Sequence, residues 1–148
     1  MKKLMLALAV IMAAFTFSEA QTEYKVVTIV ESIVPGGLGR SRLIESKTAL
    51  NIDDFTTERT DGKKSGMGNV KRGDAKIDQF SEAKLLNFYS VVGINFQNIA
   101  SNDALMTSKI NALVAEGWEL VFVTSAAESD AGKQDGDGIY ITRLIFKK

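Results

Sequence analysis

The chain has 148 residues with 18 basic and 18 acidic side chains, no histidine and no cysteine. The even charge gives no global field to draw the protein to nucleic acid or to an anionic membrane surface. The missing histidine and cysteine exclude the usual zinc, copper and haem ligand sets and any Ser-His-Asp or Cys-His arrangement; carboxylate pairs, Ser-Lys pairs and oxygen-ligand calcium sites remain chemically open.

Lys2 and Lys3 open the chain with positive charge, Leu4 to Phe17 is apolar apart from Thr16, and Ser18-Glu19-Ala20 offers small residues to a signal peptidase. This pattern predicts a secretory signal peptide over 1–20, cleaved before Gln21. The apolar run is about 14 residues, short of the roughly 20 that cross a bilayer, so removal is expected rather than retention as an anchor. The expected location is the periplasm or the extracellular space, with no transmembrane span after signal removal. The mature chain, 21–148, is about 128 residues with a net charge near −1. That length supports one domain with its own core, and stability must rest on that core because no disulfide can form.

Tyr24 to Val34 reads as a strand, with Tyr24, Val26, Thr28 and Val30 on one face and Lys25, Val27, Ile29, Glu31 and Ile33 on the other. Pro35-Gly36-Gly37 predicts a turn. Arg40 to Lys47 is the expected return strand of a hairpin, with Leu43 and Ile44 as its apolar content. Asn51 to Ser81 is rich in Asp, Lys, Gly and Thr, and predicts a long surface loop, flexible in its middle between about Asp61 and Asp74. So long a loop in a small domain is uncommon and marks either function or disorder.

Within Glu82 to Ile99, the alternation of Leu86, Phe88, Val92, Ile94 and Phe96 predicts a third strand, with Gly93 at a bulge. Ser101-Asn102-Asp103 is a helix start signal, followed by an apolar stripe of Met106, Ile110, Leu113 and Val114, with Lys109, Asn111 and Glu116 off the stripe. Gly117 stands where a left-handed helix cap is expected. Trp118 to Ser125 alternates as a fourth strand, with Trp118, Leu120 and Phe122 on one face and Glu119, Val121 and Val123 on the other. A polar connection over 126–138 leads to a last strand, Ile139 to Lys148, in which Ile139, Ile141 and Ile145 oppose Tyr140, Thr142, Leu144 and Phe146. The predicted fold is α+β: a mainly antiparallel sheet of about five strands with one main helix on one face, in the order ββ-loop-βαββ.

A helix of about 14 residues is about 20 Å long and cannot cover both faces of such a sheet. The first, fourth and last strands nevertheless carry apolar residues on both faces. Either the long loop or another subunit should cover the second face, and a homo-oligomer through that face is expected.

Glu23-Tyr24-Lys25-Val26-Val27, the run Ile110 to Val121 containing Gly117-Trp118-Glu119-Leu120, and the closing Ile141 to Lys148 together resemble a small bacterial family known as domain of unknown function 4177. The likeness covers about 45 residues and is that of an exported, Bacteroidetes-type variant with a long central insertion. It implies a strand, helix, turn and strand scaffold, and it carries no catalytic residues to transfer.

Gly117, Trp118, Glu119 and Leu120 are accordingly read as a structural motif: a chain reversal followed by a buried indole whose N–H needs one acceptor. Lys63, Lys64, Lys71 and Arg72 form a basic cluster within the long loop, a weak candidate for binding lipid phosphates or another polyanion. Six acidic residues flank the cluster, Asp53, Asp54, Glu58, Asp61, Asp74 and Asp78, and no aromatic residue interleaves with it to stack on bases. Asp130, Asp135 and Asp137 lie among glycines but lack the spacing and the bidentate Glu of a calcium loop. Gly36-Gly37-Leu38-Gly39-Arg40 lacks the Lys-Ser/Thr pair of a phosphate loop. No catalytic, cofactor or metal residue is assigned and no cofactor is implied. The functional expectation is an exported, non-enzymatic binding or assembly domain, with an unidentified protein or a second copy as partner. The alternatives are a small-ligand carrier and a carboxylate-based hydrolase.

Overall fold

A computed structural model describes residues 22–33, 41–128 and 138–148. The signal segment over 1–20, the Pro35 to Gly37 turn and the Asp130, Asp135 and Asp137 stretch lie outside the described residues. The fold is α+β: a five-stranded antiparallel sheet with one main helix on one face. In chain order the strands are β1 (Tyr24–Ser32), β2 (Arg42–Ser46), β3 (Phe80–Lys84), a two-residue pair β4 (Tyr89–Ser90) and β5 (Gly93–Ile94), then helix α1 (Phe96–Ala115), β6 (Glu119–Glu128) and β7 (Ile139–Lys147). The large sheet runs β3-β2-β1-β7-β6, so the two longest ladders, β1 with β7 and β7 with β6, form its centre and one edge.

Register sorts the side chains. Val27 opposes Leu144 and Glu45, and Ile29 opposes Thr142 and Leu43. Lys25, Val27, Ile29 and Glu31 therefore share a face with Leu43, Glu45, Ala83, Leu144 and Phe146. Helix α1 covers that face, and the core consists of Val27, Ile29, Leu43, Leu85, Leu113, Trp118, Leu144 and Phe146, with Ala83, Met106, Ile110 and Leu120 packed around it. The opposite face presents Tyr24, Val26, Thr28 and Val30 of β1, Ile44 of β2 and Ile139, Ile141 and Ile145 of β7. The alternation predicted for β1 and β7 is the one observed.

Several expectations need correction. The helix begins at Phe96, not at Ser101, and runs 20 residues. Asn95 caps it, its side-chain oxygen accepting from the Asn98 N–H at 3.2 Å. The stronger-looking signal at Asn102 is spent on a tertiary contact instead. The predicted strand over Glu82 to Ile99 is divided. β2 takes Phe80–Lys84 as its neighbour, Leu85 drops into the core, and the alternating residues beyond it form only the small β4–β5 turn around Gly93. Alternation alone could not show that this run lacks a sheet partner. On the helix, Val114 is exposed while Lys109 lies on the buried stripe with Asn102, Met106, Ile110 and Leu113. A β-bulge between Leu120 and Phe122 moves Phe122 away from Leu120 to the opposite face, opposing Ile145.

The loop expected over 51–81 gives up its end to β3. Its base is closed by the Lys47 N–H donating to the Gln79 carbonyl at 3.2 Å. It contains short 3-10 turns at Ile52–Phe55 and Met67–Asn69, the first capped by Asn51.

Candidate interaction surface

The Gly-Trp-Glu-Leu segment ends α1 through paired reverse hydrogen bonds. The Gly117 N–H donates to the Val114 carbonyl at 2.9 Å and the Trp118 N–H to the Leu113 carbonyl at 3.0 Å. This is the Schellman arrangement, in which the residue after the glycine also packs on the helix residue it bonds. Trp118 and Leu113 are indeed both core residues. Gly117 takes φ +89°, which only glycine adopts without strain. Trp118 is 7% exposed and lies beneath the Lys25 ammonium, 4.4 Å from the ring centre, with Lys148 at 5.9 Å. Lys148 also donates to the Glu116 carbonyl at 2.7 Å, placing a cation at the helix C-terminus. Glu119 pairs with Lys147 at 3.2 Å in solvent, and Leu120 packs against the core.

Beside this anchor, Glu45 bridges two lysines, Lys109 at 2.6 Å from the helix and Lys25 at 3.1 Å from β1. Burial alone would raise the Glu45 carboxyl, but the hydrogen bonds and positive charge of Lys109 and Lys25 outweigh it and hold it below its usual value.

At the other end of the helix a polar latch replaces hydrophobic packing. Asn102 is fully buried. Its amide donates to Glu31 Oε1 and to the Leu86 carbonyl, both at 2.8 Å, and accepts from the Leu86 N–H at 2.8 Å. Ser41 Oγ donates to Asn87 Oδ1 at 2.7 Å and accepts from the Ser32 N–H at 2.9 Å. Asn98 donates to the Asn87 carbonyl at 2.9 Å. These bonds fasten the irregular 85–88 segment between helix and sheet. Desolvation raises the Glu31 carboxyl, the Asn102 hydrogen bond lowers it, and the Asp103 charge adds to the rise, with the net shift upward.

The basic loop residues sit on separate turns. The N–H groups of Lys63 and Lys64 both donate to Asp61 Oδ1, at 2.9 and 3.0 Å, and these bonds hold the Asp61 carboxyl below its usual value. Lys71 begins a different turn that Asp74 closes, its N–H donating to the Lys71 carbonyl at 3.1 Å, with Arg72 inside it. A cleft of about 480 Å³ inside the loop brings Lys71 beside Asp54 and Asp74. Two further clefts, of about 380 and 580 Å³, are lined by Ser41, Arg42, Glu82 and Lys84 and by the Glu23–Val26 and Glu45–Ala49 segments. Each mixes both signs of charge at its rim.

Apolar surface is concentrated in two places. On the open sheet face Tyr24, Val26, Phe80 and Phe122 remain exposed, Phe122 at 59%, so the long loop does not cover them. At the β4–β5 turn Val91 and Val92 are 89% and 97% exposed, with Ile94 and Phe96 exposed beside them. The alternation of Val92, Ile94 and Phe96 reads as a strand; the signal for a turn is Ser90 and Gly93 bracketing two residues. Among the described residues no helix is long and apolar enough to cross a membrane.

Comparison with family models, with curated proteins and with solved structures returns no match for this chain.

Proposed function

We infer that the protein is an exported domain that works by binding or assembly and not by catalysis. The observation that carries this reading is the open sheet face, where Tyr24, Val26, Phe80 and Phe122 stay exposed around the half-buried Ile44, Ile141 and Ile145. Contiguous apolar surface of this kind is ordinarily covered by a partner. By contrast, the ionisable groups beneath the helix are already engaged: Glu45 by two lysines and Glu31 by Asn102. The space between helix and sheet, where a small-ligand carrier would hold its cargo, is filled by Leu113, Trp118, Leu144 and Phe146. The exported destination rests on the leader-like residues 1–20, and the scaffold's likeness to the domain of unknown function 4177 family rests on the Gly117–Leu120 turn and its flanks.

Crosslinking in the cell envelope, followed by capture of the tagged protein, tests the reading. Wild type should yield a defined crosslinked species that is lost on Val26→Asp combined with Phe122→Asp, with the thermal melt retained. Equal capture by both proteins would sink it.

A further inference from the structure

We propose that two copies of this chain pair edge to edge through β6, in antiparallel register, to make one continuous ten-stranded sheet. The inference rests on the binding or assembly reading and adds a second contact to it, at the sheet edge and not on the open face.

The two edges of the sheet are built differently. β3 is five residues long, carries Glu82 and Lys84, and is flanked by the long loop. Short length and charge are the ordinary devices that keep an edge from pairing. β6 is ten residues long, and between its terminal glutamates it reads Leu-Val-Phe-Val-Thr-Ser-Ala-Ala, with no charge and no proline. Among the described residues its outer backbone groups have no partner. β7 takes one side, and no other backbone hydrogen bond among the described residues involves Leu120 to Glu128. The bulge that could twist an edge away lies at its start, between Leu120 and Phe122. The seven residues Phe122 to Glu128 continue in unbroken register beyond it.

An unpaired antiparallel edge is complementary to itself. A two-fold axis perpendicular to the sheet brings each outward N–H to a carbonyl of the other copy. Residues opposed across such an axis must lie on the same face, so the axis must pass beside a residue and not between two. Centring it on Ser125, the middle of the regular stretch, opposes Thr124 with Ala126, Val123 with Ala127 and Phe122 with Glu128. The two Glu128 carboxylates then lie at opposite ends of the junction and do not face each other. The central side chains are small and exposed, so neither copy must move a bulky group to admit the other. The pairing also joins the two open faces, with their Phe122 side chains, into one apolar surface.

The absence of cysteine makes the register directly measurable. Opposed residues in an antiparallel pair have Cα atoms about 4.5–5.5 Å apart, within the span a disulfide bridges. The mature protein should sediment as a species of twice the monomer mass. Ser125→Cys should form an intermolecular disulfide under mild oxidation, and Glu119→Cys, beyond the bulge, should not. Ala127→Lys should give monomer that still melts in one cooperative transition, lower than wild type only by the lost association. A monomer at the highest attainable concentration overturns the proposal. So does a dimer in which Ser125→Cys stays reduced or Ala127→Lys has no effect. A monomer that still captures an envelope protein overturns self-pairing and leaves the binding reading intact, whereas a monomer that captures nothing removes both.

Discussion

Replacing Asn102 by alanine should be the most damaging single change outside the hydrophobic core. The side chain is fully buried and makes three hydrogen bonds of 2.8 Å. Two neutral bonds to the Leu86 backbone contribute about 0.5–1.5 kcal/mol each, and the bond to the Glu31 carboxylate about 1.5–3 kcal/mol. The truncation leaves the Glu31 oxygen beneath the helix with no donor and opens a small void, while the Leu86 backbone, nearer the surface, recovers part of its loss in water. The sum is about 3–5 kcal/mol, a large share of the 5–15 kcal/mol typical of a domain. For a chain of this size that lowers the melting temperature by roughly 10–20 °C. Urea unfolding of mature wild type and Asn102→Ala measures the difference directly. A loss below about 1 kcal/mol would refute the claim that this amide fastens the helix to the sheet.

Glu31→Gln tests the raised carboxyl beside it. A group whose folded value lies above its unfolded value contributes stability below the unfolded value and loses it as pH rises through the folded one. Glu31 therefore costs stability at neutral pH, and Glu31→Gln, which keeps an acceptor for Asn102, should equal or exceed wild type at pH 7 with the advantage vanishing below about pH 4. Glu45 has the opposite sign. Its lowered carboxyl contributes above the unfolded value and loses the contribution as pH falls through the folded one. Glu45→Gln should cost about 1–3 kcal/mol at pH 7, and the two proteins should converge in acid unfolding titrations. Gly117→Ala should cost about 1–2 kcal/mol from the left-handed backbone, because at φ +89° the added methyl meets nothing closer than Lys148 Cε at 3.5 Å; a thermal melt equal to wild type would count against it.

Much of the fold was legible because local patterns there coincided with the global arrangement. Period-two alternation in β1 and β7 named the residues of both faces, and glycine followed by tryptophan marked the helix end. Where pattern and packing diverged, the reading failed for identifiable reasons. Leu86 to Phe96 alternates as a strand would, but β2 has one free side, and Phe80–Lys84 occupies it. Asn102 looks like a helix cap because asparagine caps helices, yet its amide serves a carboxylate and a backbone 71 and 16 residues away in sequence. Val91 and Val92 look like core until the turn at Gly93 points them outward.

By itself the sequence determined the class of fold, the composition of each β1 and β7 face, the structural place of Gly117 and Trp118, and the chemistry denied by the absence of histidine and cysteine. Those properties depend on residue type and short-range spacing. Only the tertiary structure decided that β6 is an edge, that Phe122 leaves the face of Leu120, that Glu31 is buried against Asn102, and that Tyr24, Val26, Phe80 and Phe122 stay exposed on the second sheet face. Strand order, burial and long-range hydrogen bonding depend on which segments meet, and local periodicity carries no record of that choice.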